Sequence, residues 1–440
     1  MRVPPAFSLW RLRWISFPVV VVLLLLGLEA GTSALASTST SYTVHKFTTE
    51  GYDGVSPADP SLAVGPTYIV ETINTSMTVY TKAGQETSHR EFGDLFAPAT
   101  NVFCADPRVI YWSWSNRYAI ACTDTGNQTT RLAVSASGNP NGAWVTYSTG
   151  PNTAVDQPKV EATKDKLVVA GNTTINGVSS SVFWVYQLSD VLSGVANPRV
   201  SYLTTPRGQY QAVVQLTPTA PAYLVQAYPG SNDIFLTKIR GTPATHVSSM
   251  VSDLGVYPLT PPSEPSVPGG SIGGGYLDGR ITSAVYEVTS AGAKIIQYSG
   301  MAECGSRVCD SNARITLTSS GPVSSYVKTL AETSYDDTYG AVTVDGAGRA
   351  FEAYSRSNGT TTPQAAIVTP GFRTVVAKSV SGTTVCHTGV TPPCDERWGD
   401  YLGATQDPSN REELWFVGLY QTASGDDGWT TAISSVTNTV

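Results

Sequence analysis

One pattern recurs along most of this 440-residue chain. A short strand opens after an acid or a glycine, reaches a tight turn and returns as a second strand, as in DPRVIYWSWSNRYAIACT. Seven such segments follow one another at intervals of 47 to 70 residues, and they begin at Asp59, Asp106, Asp156, Gly208, Asp278, Asp336 and Asp400. At least one further strand follows each of them. Repeats of this length and strand content are typical of β-propeller blades.

The predicted fold class is all-β, a seven-bladed β-propeller of four-stranded antiparallel blades. One such sheet cannot bury both of its faces, whereas seven sheets around an axis bury each face against a neighbour. The strand of residues 42–49 precedes the first repeat, so we expect it to pair with the last blade at residues 429–436 and close the ring. A two-domain β-sandwich is the alternative, but it does not explain the sevenfold spacing.

The largest insertion, Pro258–Gly275, lies between the fourth and fifth repeats and is rich in proline and glycine. A domain linker and a long interblade loop are both compatible with that composition. We favour the loop, because the repeats continue on both sides.

Residues 1–36 are predicted to be a signal peptide. A lead with three arginines precedes an apolar run, Phe17–Leu28, and a small-residue cleavage site that ends at Ala36. The run is about 12 residues, which is short for a membrane span, so an uncleaved anchor is the weaker alternative. We expect residues 37–440 to form a single secreted propeller domain, monomeric and without a membrane span.

Net charge limits the classes of partner, and the cysteine content indicates the cellular compartment. The net charge of −7 and the absence of a basic run argue against a nucleic-acid partner. The six cysteines form three local pairs, Cys104 with Cys122, Cys304 with Cys309, and Cys386 with Cys394. An even count in an exported chain predicts disulfides. A zinc site is disfavoured, because the sequence has no CxxC pair and no HExxH motif.

The repeats place aspartates where a ligand site is expected. In a propeller the inner strands start at one mouth of the channel, where loops from all blades converge. Six repeats put an aspartate there, and only the fourth departs, with Gln209-Tyr210. For each aspartate taken alone, the alternative is that it caps its own turn, which aspartate before proline or glycine favours. If the carboxylates converge instead, their charge needs compensation.

Three forms of compensation remain open at this mouth. Ca²⁺ in the central channel is one, with Asp59 and Asp336 as candidate ligands; the sequence requires no other cofactor. Nearby arginines are the second. The third is a raised pKa on one aspartate, which is what a general acid needs.

Three features of the sequence belong together: the DP-strand openings, the RWGDY segment at 397–401, and SASGNPNGAW at 135–144. They resemble those of the secreted bacterial propellers of the sialidase-like, BNR type. The segment at 135–144 is similar to an Asp-box in which Ser137 replaces the aspartate and Ala143 the threonine, and no intact Asp-box occurs. The resemblance implies a propeller in which these boxes are structural turns.

For activity, the resemblance implies an arginine clamp for a substrate carboxylate, a tyrosine nucleophile and an acid. The candidates in this chain are Arg108, Arg280 and Arg397 for the clamp, Tyr401 or Tyr210 for the nucleophile, and Asp106 or Asp156 for the acid. The alternative is that the arginines pair with neighbouring aspartates.

The sequence leaves three functions open. The first is a propeller that binds an extracellular glycan or small ligand at the channel mouth, with Trp398, Asp400, Asp278 and Tyr210 as candidate contacts. The second is a sialidase-like glycoside hydrolase, which requires two carboxyl groups about 5 to 10 Å apart. The third is a non-catalytic structural or protein-binding module, which requires a channel plugged by side chains.

Overall fold

The computed structural model describes residues 41–150, 152–227, 233–256, 263–273, 277, 279–330, 332–385, 394–425 and 427–438. The predicted signal peptide, Asp278, Cys386 and part of the Pro258–Gly275 insertion therefore lie outside the described residues.

Seven four-stranded antiparallel blades form a β-propeller, as predicted. The chain starts with β1 (Tyr42–Gly51), which belongs to the last blade. Blade 1 is β2 (Ser61–Val64), β3 (Tyr68–Thr72), β4 (Ser76–Thr81) and β5 (Glu86–Glu91), followed by the short helix α1 (Phe92–Leu95). Blade 2 is β6 (Cys104–Trp112), β7 (Arg117–Asp124), β8 (Thr129–Ser135) and β9 (Trp144–Ser148). Blade 3 is β10 (Asp156–Ala162), β11 (Lys166–Ile175), β12 (Val178–Gln187), helix α2 (Leu188–Leu192) and β13 (Val200–Thr205).

The second half of the chain continues the order. Blade 4 is β14 (Gln211–Ala212), β16 (Ala222–Ala227), β17 (Asp233–Arg240) and β18 (Ser248–Val256). Between β14 and β16, β15 (Val214–Gln215) belongs to the sheet of blade 5. Two short strands follow, β19 (Ser266–Val267) and β20 (Gly270–Ser271). Blade 5 is β21 (Ile281–Val288), β22 (Lys294–Cys304), β23 (Arg307–Thr318) and β24 (Gly321–Leu330). Blade 6 is β25 (Asp336–Val344), β26 (Ala350–Asn358), β27 (Thr361–Thr369) and β28 (Phe372–Ala377). After β29 (Cys394–Asp395), blade 7 is β30 (Gly403–Asp407), β31 (Asn410–Gln421), β32 (Trp429–Asn438) and β1.

The first strand closes the ring, which confirms the predicted pairing. β1 runs antiparallel to β32, with Tyr42 opposite Asn438 and Phe47 opposite Ile433. Blade 7 therefore combines the two ends of the described chain in one sheet, and no blade edge is left between the first and last repeats.

Burial follows the position of a strand within its blade. Every residue of the inner strand β25 is buried. The outer strand β13 alternates between exposed and half-buried residues, because one of its faces and its free edge meet solvent at the rim. Apolar side chains of adjacent blades interdigitate between the sheets, as Leu132 and Trp184 do between blades 2 and 3.

Two features were not expected. β15 pairs in parallel with β21, so a piece of the fourth repeat extends the sheet of blade 5. The described part of the insertion forms a small sheet in which β20 pairs with β29, just before blade 7. Val267 and Ile272 of this insertion are buried in the same hydrophobic cluster as Trp398.

Two of the three predicted disulfides are present. Cys104–Cys122 joins β6 to β7, and Cys304–Cys309 joins β22 to β23. The third prediction involves Cys386, outside the described residues. Two disulfides are typical of an extracellular protein. Among the residues that the structure describes, no helix has the length and apolarity needed to cross a membrane.

Candidate functional site

The backbone bends sharply where the inner strands begin. Non-glycine residues adopt left-handed conformations at these points, namely Asp59 (φ 47°), Asp106 (φ 52°), Gln157 (φ 47°), Gln209 (φ 64°) and Tyr339 (φ 61°). Strand register shifts beside three of them, in β6, β10 and β25. Such bulges re-aim side chains, and a non-glycine residue keeps this conformation only where its surroundings hold it there.

Three of the six predicted aspartates meet at the channel mouth. Asp59, Asp106 and Asp400 each offer a carboxylate oxygen, and these oxygens lie within 4.8 Å of one another. The Asp400 amide donates to Asp59 Oδ1 at 2.8 Å, and the Gln157 amide donates to Asp106 Oδ2 at 3.2 Å. Gln157 Nε2 donates to Asp400 Oδ2 at 3.2 Å. The carboxylates therefore do not cap their own turns; they connect blades 7, 1, 2 and 3.

Two asparagines support the strand openings of the neighbouring blades. Asn74, just after β3, donates through Nδ2 to Asp59 Oδ2 at 2.9 Å, and its Oδ1 accepts the amide of Asp106 at 2.7 Å. Asn172, within β11, accepts the amide of Gln209 at 2.7 Å in the same way. Sequence reasoning did not place these residues in the site.

Cationic side chains surround the acids. Arg397 Nη2 donates to Asp400 Oδ2. The Arg108 guanidinium lies 3.2 Å from the centroid of the Tyr401 ring. Lys159 is buried and donates through Nζ to the backbone oxygen of Gln157 at 2.6 Å. Sequence reasoning missed Lys159, which stands two residues after the left-handed Gln157, as Arg108 does after Asp106.

The three arginines predicted for the clamp, Arg108, Arg280 and Arg397, lie close enough to these groups to affect their charges. The charges of Arg108 and Arg280 both lower the pKa of Lys159, and Arg397 interacts with the charges of Asp400, Asp59 and Asp106. The arginines and the aspartates thus belong to one mixed-charge cluster.

Burial and charge perturb several pKa values here. Burial, reinforced by Asp400 and Asp106, raises the pKa of Asp59 well above its ordinary value. Burial, and then the charges of Asp400 and Asp156, raise the pKa of Asp106 to about 6. Burial, and then Arg108 and Arg280, lower the pKa of Lys159 to about 7. The mouth therefore holds an acid and a base that both titrate near neutral pH.

The three converging acids supply a donor set that Ca²⁺ accepts. Cations compete for the same carboxylates, because the charges of Arg108 and Arg397 interact with those of Asp59, Asp106 and Asp400. Both Asp59 oxygens also accept hydrogen bonds. Asp336, the second predicted ligand, is outside this group and accepts the amides of Ser266 at 2.8 Å and Val308 at 3.0 Å.

Three further residues, which were predicted to contact a ligand or to act in catalysis, occupy positions that do not suit those roles. Trp398 is 1% exposed and donates through Nε1 to Ser355 Oγ at 3.3 Å. Tyr210 is also 1% exposed and packs edge-on against Phe183. Burial leaves neither ring a face for a ligand, so both act as core residues. Asp156 is exposed, and the adjacent Gln157 takes the left-handed position instead.

Tyr401, the first candidate nucleophile, is buried beside the cluster. Its hydroxyl donates to the Pro107 carbonyl oxygen at 2.9 Å. Burial raises its pKa well above the ordinary value, although the nearby Arg108 lowers it. A neutral, hydrogen-bonded hydroxyl of this kind holds the segment that precedes β30 against blade 2.

The channel itself is narrow. A cavity of about 50 Å³ is lined by inner-strand residues that include Ser61, Arg108, Lys159 and Gln211. Space of this size holds a few water molecules and no sugar ring.

The segment that resembles an Asp-box forms the turn between β8 and β9. The amide of Ala136 donates to Ala143 O at 2.8 Å, and Trp144 Nε1 donates to Pro140 O at 2.9 Å. It acts as a structural turn, as the resemblance implied.

No known protein family matches the chain, and no curated protein matches it. Solved structures similar to it include an endo-arabinase from Bacteroides thetaiotaomicron (13% identity over 73% of this chain and 97% of that one, TM-score 0.35). Others are the BP39L lectin from Burkholderia pseudomallei (9%, 85% and 95%, TM-score 0.45) and an α-L-arabinanase from Penicillium chrysogenum complexed with arabinobiose (10%, 76% and 93%, TM-score 0.41).

Proposed function

We propose that this protein is secreted and binds an extracellular glycan at the mouth of its central channel. The observation that carries the proposal is the convergence of Asp59, Asp106 and Asp400 with nearby cations, where hydrogen bonds connect blades 7, 1, 2 and 3. Such a group supplies strong acceptors and strong donors within a few ångströms, which is the chemistry that vicinal hydroxyls need.

The solvent exposure of each side chain decides which of these residues can contact a ligand directly. The Arg397 side chain is 36% exposed and the Asp400 side chain 9% exposed, so this pair presents donors and an acceptor to solvent. Asp59 is fully covered and acts from behind by holding the Asp400 amide. We therefore assign direct contact to Arg397, Asp400 and Asp106, and a positioning role to Asp59.

Charge balance and space define the ligand further. The acids and cations of the mouth oppose each other, so the site favours a neutral polyhydroxylated group over a strongly charged one. The narrow channel admits no sugar ring, so a terminal or surface residue of a glycan is the expected partner.

The test is binding of a panel of immobilised glycans, followed by calorimetry on the best ligand. Asp400→Asn and Arg397→Gln should each weaken binding about tenfold or more, since each removes a charge-assisted hydrogen bond. The matched control is the ion pair of Asp190 with the exposed Arg199 in blade 3, 2.7 Å apart, where Asp190→Asn should leave affinity unchanged. Equal binding by wild type and Asp400→Asn would rule out the channel mouth as the binding site.

A glycoside hydrolase is the second candidate, favoured by the carboxyl geometry. Carboxylate oxygens of three aspartates lie within 4.8 Å of one another, and a pKa of about 6 on Asp106 suits a proton donor. Turnover of a fluorogenic glycoside by wild type but not by Asp106→Asn would support it. A sialoside in the panel tests the sialidase-like form, in which the three arginines hold the substrate carboxylate. Binding without turnover excludes both hydrolases, and neither binding nor turnover supports a structural or protein-binding module.

A further inference from the structure

A larger cleft lies between blades 4 and 5, away from the channel residues. Its volume is about 240 Å³, and it shares no lining residue with the channel cavity. Blade 4 contributes Tyr223, Leu236, Lys238, Arg240, Met250 and Ser252, and blade 5 contributes residues 317–322. We call this surface the blade 4–5 cleft.

Strand geometry explains why these side chains share one face. Leu236, Lys238 and Arg240 alternate along β17, so they point to the same side of the sheet. The register places Tyr223 of β16 and Met250 of β18 on either side of Lys238. The turn that joins β23 to β24 closes the other wall with Thr318, Ser319 and Ser320.

The charged side chains that line the cleft are all cationic. No acidic residue lines it, and its two charged members are Lys238 and Arg240. In the parts of the chain described here, the side chains of Lys238, Arg240 and the neighbouring Lys294 form no ion pair and no hydrogen bond. Lys238 is half-buried, and burial, Arg240 and Lys294 all lower its pKa. Converging cations without partners are unfavourable in the absence of an anion.

The cleft also carries an apolar wall. Tyr223 stacks on Tyr286 of blade 5 with ring centroids 5.8 Å apart and planes 17° apart. Lys238 Nζ lies 5.8 Å from the Tyr223 centroid, and Met250 is 49% exposed. Cations, hydroxyls and apolar surface in one cleft suit a ligand that has an acidic group on a compact, partly apolar, hydroxylated ring.

We propose that the blade 4–5 cleft binds an anionic sugar residue of a glycan, with its carboxylate or sulfate between Lys238 and Arg240. The volume fits one residue, below the range of larger drug-sized sites. The serine and threonine hydroxyls of the blade 5 turn face the ring hydroxyls. This site is independent of the channel mouth, so either proposal can fail alone.

The experiment is calorimetry with four probes: trigalacturonate, a sulfated heparin tetrasaccharide, neutral maltotriose and sodium sulfate. We expect one of the two acidic oligosaccharides to bind, and to bind more weakly as NaCl rises from 50 to 500 mM. Lys238→Gln and Arg240→Gln should each weaken that binding about tenfold. Lys378→Gln, an exposed lysine of blade 6, is the matched control and should not change it.

Thermal unfolding distinguishes binding from a structural role. Lys238→Gln removes repulsion from Arg240 and Lys294, so its melting temperature should equal or exceed that of the wild type. The proposal is overturned if neither acidic oligosaccharide binds, or if Lys238→Gln and Arg240→Gln leave the affinity unchanged. Equally tight binding of sodium sulfate would show a site for a simple anion and overturn the assignment to a sugar. Equal binding of maltotriose would overturn the role of charge.

Discussion

Replacing Asp106 with asparagine should flatten the pH dependence of stability between pH 5 and pH 8. In the folded protein, burial and the charges of Asp400 and Asp156 raise the pKa of Asp106 from 3.8 to about 6. The unfolded chain retains the ordinary value, so it loses this proton at lower pH. A raised carboxyl pKa therefore contributes stability that is complete below pH 3.8 and is lost as pH rises through 6.

The size of the effect follows from the shift. About two pKa units at 1.36 kcal/mol each amount to at most about 3 kcal/mol over the whole window. Between pH 5 and pH 7 the loss is about 1 kcal/mol, because part of it has already occurred below pH 5. That is a measurable fraction of the 5 to 15 kcal/mol by which domains are usually stable.

Urea unfolding followed by tryptophan fluorescence at pH 5, 6, 7 and 8 measures this difference. Asparagine keeps an oxygen to accept the Gln157 amide, so Asp106→Asn removes the ionisation and retains the hydrogen bond. Glu71 and Glu287 are also buried carboxyls with raised pKa values, so the wild-type stability should fall with pH and the variant should fall less. Asp190→Asn is the control: hydrogen bonds from Arg199 lower the pKa of Asp190, which therefore titrates below this window. Parallel curves for wild type and Asp106→Asn would refute the argument.

Two further predictions concern stability. Tyr401→Phe should cost about 1 kcal/mol in urea unfolding, because it removes the buried bond to the Pro107 carbonyl, and it should not alter glycan affinity; lost turnover at retained stability would instead identify Tyr401 as a nucleophile. Replacing both cysteines of Cys104–Cys122 should lower the free energy of unfolding in guanidinium by about 3 kcal/mol. Replacing both cysteines of Cys304–Cys309 should lower it by about 2 kcal/mol, because the shorter closed loop restricts the unfolded chain less. A larger loss from the second pair would contradict the loop argument.

The blades were predictable because their signals are local. Alternating strands and polar turns recur at each repeat, and the strand at residues 42–49 had no partner except the last blade. The split of the fourth inner strand was not predictable. β14 and β15 are only two residues each, and β15 pairs with β21 more than sixty residues later. Nothing within so short a segment specifies which sheet it joins.

The mouth was predictable only in part, because a one-residue difference in backbone conformation decides which side chain enters it. The sequence placed aspartates at the inner strands, and Asp59, Asp106 and Asp400 do converge. In blade 3 the left-handed residue is Gln157, so Asp156 remains exposed. Asp336 binds backbone amides from other segments, which no repeat pattern reveals.

The two proposed sites differ in a way that follows from charge balance. At the mouth, cations lie among the acids, so a ligand gains more from directional hydrogen bonds than from net charge. In the blade 4–5 cleft, Lys238 and Arg240 have no acidic neighbour in the lining, so an anion relieves a repulsion that the fold leaves in place. Rising salt should therefore weaken binding at the cleft much more than at the mouth. A glycan with a neutral residue and an acidic residue would then show two separable components in one titration, of which only the salt-sensitive one disappears in Lys238→Gln.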